Sequence, residues 1–119
     1  MIIPHIVTDA GGHSQFSEFD WKQIGNAARI NTAETAVNFW QVLINQPGDA
    51  LDFQPSGANK FFAIMSGQMD VTVSNGDVRH LGRGDMLLAS DIAGQGHKTK
   101  FVGLDPCLML AVTIPALLK

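Results

Sequence analysis

Apolar residues along this chain come in short runs, with no sustained helical repeat. The runs at 2–8, 16–21, 37–45, 61–65, 69–73, 78–81, 86–89, 97–102 and 107–114 are rich in Val, Ile, Phe and Leu. Gly, Asn, Asp or Pro bound most of them, which is the punctuation of strands. Met69-Asp70-Val71-Thr72-Val73 alternates apolar and polar, as a strand does with one face on a core and one in water. Asn75-Gly76 is the strongest short turn signal, because both residues tolerate positive φ. Gln46-Pro47-Gly48-Asp49 and Gly82-Arg83-Gly84-Asp85 mark two further turns, and Ser66-Gly67 separates two runs. Only the stretch 21–36 reads as helical, and 115–119 reads as a closing tail. Eight or more short strands joined by tight turns predict an antiparallel sandwich or barrel.

Length and composition narrow the class. The chain has 119 residues, 45% hydrophobic and 16% charged, which suits one domain, 1–119, with one buried core. A net charge of -3 with no Lys/Arg run argues against nucleic acid as a partner. The single cysteine, Cys107, excludes an internal disulfide framework and a multi-thiolate zinc site. It sits in the apolar run 107–112, where a buried structural thiol is expected. The opening Met1-Ile2-Ile3-Pro4-His5 has no basic n-region, and no run approaches the ~20 apolar residues of a membrane span. A cytoplasmic protein without a membrane partner is the expectation.

The glycine spacing carries more information. Gly48 is followed after five residues by Gln54-Pro55-Ser56, after three more by Lys60, and after six more by Gly67. Sixteen residues then lead to Gly84-Asp85, and Ser90-Asp91-Ile92-Ala93-Gly94-Gln95-Gly96 precedes His97. This register resembles the two motifs of the cupin superfamily, with motif 1 at about 48–67 and motif 2 at about 84–101. More narrowly it is similar to small single-domain bacterial cupins of the cupin-2, RmlC-like type. In those, the stretch matching Phe53-Gln54-Pro55-Ser56-Gly57 commonly reads Trp-His-Pro-Ala-Pro. The opening Thr8-Asp9-Ala10-Gly11-Gly12-His13-Ser14-Gln15-Phe16 also resembles theirs. The resemblance implies an all-β fold, a double-stranded β-helix or jelly-roll barrel.

It also implies an interior metal centre of three imidazoles and a carboxylate, and here this chain departs from the pattern. The matched positions hold Gln54, Ser56, Lys60 and His97. An amide and a hydroxyl are weak ligands for a transition ion, and an ammonium repels it. No metal or other cofactor is therefore expected, a metal held by divergent ligands being the third-ranked reading.

His97 keeps its position behind a double-glycine loop. It is either a bridge from loop to barrel wall or a functional donor and acid/base. Asp91 is its companion, orienting His97 or hydrogen-bonding its own turn. Gln54 and Lys60 offer an amide and a cation to a ligand, although a snorkelling Lys60 is the commoner fate. Phe53, Phe62, Met86, Leu88, and Phe39 or Trp40 are the expected soft lining, with Met65 and Met109. His5, His13 and His80 are expected to be exposed or locally hydrogen-bonded. No Gly-x-Ser-x-Gly elbow, phosphate loop or HExxH is present. A small organic ligand in a metal-free apolar barrel is thus the first reading. A metal-independent isomerase, cyclase or lyase using His97 is the second. A homodimer is expected under each.

Overall fold

In the computed structural model, which describes residues 1–26 and 29–115, the short apolar runs become strands. These are β1 (Ile2–Thr8), β2 (Ser14–Asp20), β3 (Gln23–Asn26), β4 (Arg29–Thr32), β5 (Phe39–Asn45) and β6 (Ala50–Gln54). They continue as β7 (Asn59–Ser66), β8 (Gln68–Thr72), β9 (Val78–Gly82), β10 (Met86–Ala89), β11 (His97–Val102) and β12 (Cys107–Ile114). A six-stranded sheet runs β2-β1-β10-β7-β12-β5 and a four-stranded sheet runs β6-β11-β8-β9. From β5 onward the chain passes repeatedly between the two sheets, β8 to β9 being the one connection that stays within a sheet. That winding is what makes the sandwich a double-stranded helix of strands. Pairing is antiparallel throughout except between β1 and β10, which run parallel with His5 opposite Leu88.

Period-two patterning selects the core. In β12, Cys107, Met109 and Ala111 are buried, and in β8 Met69 and Val71 are, so the two sheets close on each other. Phe101, Leu87, Ile6 and Ile64 complete this interior cluster. A second cluster of Ile3, Leu88 and Ile114 lies on the outer face of the large sheet, packed by Phe19, Trp21, Phe61 and Met86. Gly67 links β7 to β8 at φ 79°, where a Cβ would collide with the backbone of Pro106 and Cys107. Only glycine fits that crossing.

Two expectations need correction. The stretch 21–36 contains no helix among its described residues; it forms the hairpin β3–β4, with Gln23 opposite Thr32. Gly25, at φ 120°, interrupts any helical path, and the surrounding Asn and Thr are poor helix formers. Strand β6 falls within 50–54, a stretch read only for its motif; it lies at a sheet edge with every residue exposed, so no buried face marks it. Residues 116–119 of the expected tail lie outside the described residues. His5 is buried, with Nε2 2.8 Å from Ser90 Oγ and its ring edge-on to Phe19. It had been expected at the surface or in a local bond. Burial lowers its pKa from 6.5. His13 and His80 are exposed and paired with Asp9 and Asp70. No helix among the described residues is long and apolar enough to cross a membrane.

Candidate functional site

The two sheets enclose a cavity of about 550 Å³. Gln54 at the end of β6, Ser56 just beyond it, Lys60 near the start of β7 and His97 at the start of β11 all line it. Pairing explains their convergence. His97 stands opposite Gln54, while Lys60 stands opposite Thr113 of β12 and Ala89 of β10. Four residues further along the strands, Phe101 pairs with Met69, and Met109 pairs with Leu43. At about 3.3 Å per residue this is some 13 Å away. The cavity therefore has a polar end and an apolar end.

The polar end is held by the loop 90–96, which is laced to elements far away in sequence. Ser90 N–H donates to Ile6 carbonyl, Gln95 N–H to Gly12 carbonyl, and Ser56 N–H to Asp91 carbonyl. Ser14 Oγ donates to Gly96 carbonyl at 2.5 Å, and Thr8 Oγ1 to Ala93 carbonyl at 3.1 Å. The Gly12 side of this lacing is shaped by Asp9, whose carboxylate accepts from the N–H groups of His13 and Gly11. Those bonds, His13's first, hold its pKa below 3.8. Gly96 has φ 73°, and a Cβ there would strike the backbone of Gln54 and Pro55. The glycines flanking Gln95 are thus required by close approach, and the loop brings both Asp91 and His97 to the barrel.

Asp91 is fully buried, and its Oδ2 lies 2.5 Å from His97 Nδ1. The two atoms share a hydrogen bond. Of the two contacts open to Asp91, the one formed is to His97 and not to its own turn. Its second oxygen, Oδ1, has no partner among the described residues. The His97 side chain is 14% exposed and lines the cavity, which leaves Nε2 as the nitrogen available to a bound molecule.

The expected apolar lining is only partly right. Trp40 and Phe62 line the cavity, and so do Phe39 and Met109. Phe53, Met86, Leu88 and Met65 do not. In β10 the inward residues are Leu87 and Ala89, so Met86 and Leu88 face the outer cluster. A shift of one residue exchanges faces on a strand, and nothing local distinguishes Leu87 from Leu88. Phe53 is exposed with the Lys98 ammonium 5.4 Å above its ring. Gln41, Leu43, Val71, Phe101 and Thr113 were missed as lining; the alternation 39/41/43 and 109/111/113 carries the signal for three of them.

A transition ion does not fit these residues. Among the described residues no group of three or more His, Cys, Asp and Glu comes together. The matched positions supply one imidazole, whose Nδ1 is already used, and a lysine. Ser56 Oγ is turned to the carbonyls of Ala58 and Asp91.

The strand order and its winding define the fold as a cupin-type double-stranded β-helix. A cupin domain from Bordetella pertussis matches at 13% identity over 97% of this chain and 94% of that one, with a TM-score of 0.51. A structure described as a predicted oxalate decarboxylase from Thermotoga maritima matches at 17% over 95% and 92%, with a TM-score of 0.54. A Klebsiella pneumoniae protein with a double-stranded β-helix domain matches at 23% and a TM-score of 0.53. In that case the match covers 64% of this chain and 65% of the other, just under two thirds of its length. No protein-family model matches the chain. No curated protein matches it significantly.

Proposed function

We propose that the chain binds a small organic molecule inside its barrel without a metal ion. The carrying observation is the cavity of about 550 Å³, a size usual for small-molecule sites, with Gln54, Ser56, Lys60 and His97 gathered at one end. Apolar walls supply burial energy, and a few placed polar groups fix orientation. Native mass spectrometry of the purified protein against metabolite mixtures tests this. A stoichiometric organic adduct supports it, and protein that stays bare against every mixture counts against it.

The bond between Asp91 and His97 favours a second reading, a metal-independent isomerisation, cyclisation or lyase step. Nε2 would accept a proton from the bound molecule and return it, while Asp91 holds the ring and balances the transient imidazolium. Replacing His97 by Gln should then abolish turnover while ligand affinity changes only a few-fold. Equal turnover in the variant would remove His97 from the chemistry.

A cytoplasmic homodimer is the form we propose for the protein. Val42 and Ile44 are exposed along one face of the edge strand β5.

A further inference from the structure

We propose that the cavity selects an apolar monocarboxylate, an aryl or alkyl acid whose anionic head sits at the Lys60 end. The inference rests on the small-molecule reading above and adds the charge and polarity of the ligand.

Charge is the first argument. Among the described residues no Asp or Glu lines the cavity, and Lys60 is the one fully charged side chain on its wall. Lys60 has no ion-pair or hydrogen-bond partner among the described residues. A half-buried ammonium without a counter-charge favours an anion that enters its surroundings, and the apolar walls around it weaken screening. Asp91 makes no ion pair with Lys60 and is not on the cavity wall, lying behind His97.

Polarity is the second argument. Donors and acceptors concentrate at the end formed by Gln54, Ser56, Lys60, His97 and Thr113, with Gln41 and Thr99 midway along the walls. The far end offers Leu43, Met69, Phe101 and Met109, with no group to satisfy a second charge or a polar tail. A dicarboxylate would bury an unpaired charge there, and a cation would meet Lys60. One anionic head and an apolar body remain.

The test compares a matched series, 4-phenylbutyrate, 4-phenylbutanol and 4-phenylbutylamine, by isothermal titration calorimetry against the full chain. The acid should bind about ten-fold more tightly than the alcohol, as expected of one charge-assisted contact, and the amine more weakly than both. Lys60→Met should bring the acid to within about two-fold of the alcohol and remove the salt dependence of the acid. Lys60→Arg, which keeps the cation, should retain the preference, and circular dichroism identifies any variant that fails to fold. Equal affinity of acid and alcohol in the wild type would overturn the charge selection while leaving the small-molecule reading intact. Failure of all three compounds to bind would count against both.

Discussion

Asp91 Oδ2 and His97 Nδ1 lie 2.5 Å apart, one partner fully buried and the other nearly so. Removing His97 strands a carboxylate in the interior, whereas removing Asp91 frees an imidazole that can still reach the cavity. His97→Ala should therefore destabilise the protein by about 3 kcal/mol, and Asp91→Ala by less. The double variant should lose clearly less than the two single losses combined. Urea unfolding of the four proteins checks this, and simple additivity would mean the pair is not coupled.

Two glycines with similar backbone angles should respond differently to alanine. Gly84 has φ 88° with open space around the added methyl, so its substitution should cost only the left-handed penalty of about 1–2 kcal/mol. Gly96, at φ 73°, would drive a methyl into the Gln54 backbone. Gly96→Ala should cost appreciably more and weaken ligand binding too, because the loop carries both Asp91 and His97. Thermal melts with a binding titration on each variant separate the two effects.

His5 should make folding stability fall on mild acidification. Burial lowers its folded-state pKa below 6.5, so the unfolded chain takes up a proton first as pH drops through about 6.5. Stability thus rises with pH across the window between the lowered value and 6.5, and is lost below it. Chemical denaturation from pH 7.5 to 5 should show this slope, and His5→Gln should flatten it. An unchanged slope in that variant would assign the effect elsewhere.

Cys107 is buried in the core, and desolvation raises its thiol pKa. A thiol reagent such as Ellman's should label it negligibly in the native protein and completely in denaturant. Fast native labelling would show that β12 opens readily.

A dimer should elute with twice the 12.8 kDa chain mass in light scattering. Ile44→Lys places a charge on the exposed apolar face of β5 and should yield a monomer of unchanged melting cooperativity. A wild-type monomer would remove the proposed interface.

Much of the barrel was legible because local pattern and turn chemistry agreed. The runs at 86–89, 97–102 and 107–114 coincide with β10, β11 and β12, and Asn75-Gly76 sits in the turn between β8 and β9. The motif register that resembles the cupins also matches Gln54, Ser56, Lys60 and His97 to positions that line one cavity. What failed to show lacked a local signature. Strand β6 has no buried face, and among the described residues β3 and β4 pair only with each other. Leu87 and Leu88 are chemically alike, so facing is decided by pairing with Phe62 and Phe61 across the sheet. The burial of His5 depends on Ser90 and Phe19, neither of them a near neighbour in sequence.

The lacing of the loop 90–96 to Ile6, Gly12 and Ser14 has a kinetic side. Closing a connection of some eighty residues costs chain entropy before any contact is gained, which slows folding in proteins dominated by distant pairings. On a ribosome, the strands up to β9 can emerge with nothing to join β1 to the rest of the large sheet, because its partner β10 comes later. The first seven-residue strand must wait until β10 has been made, and the end of the barrel that holds Lys60 and His97 takes shape only once the loop 90–96 has followed.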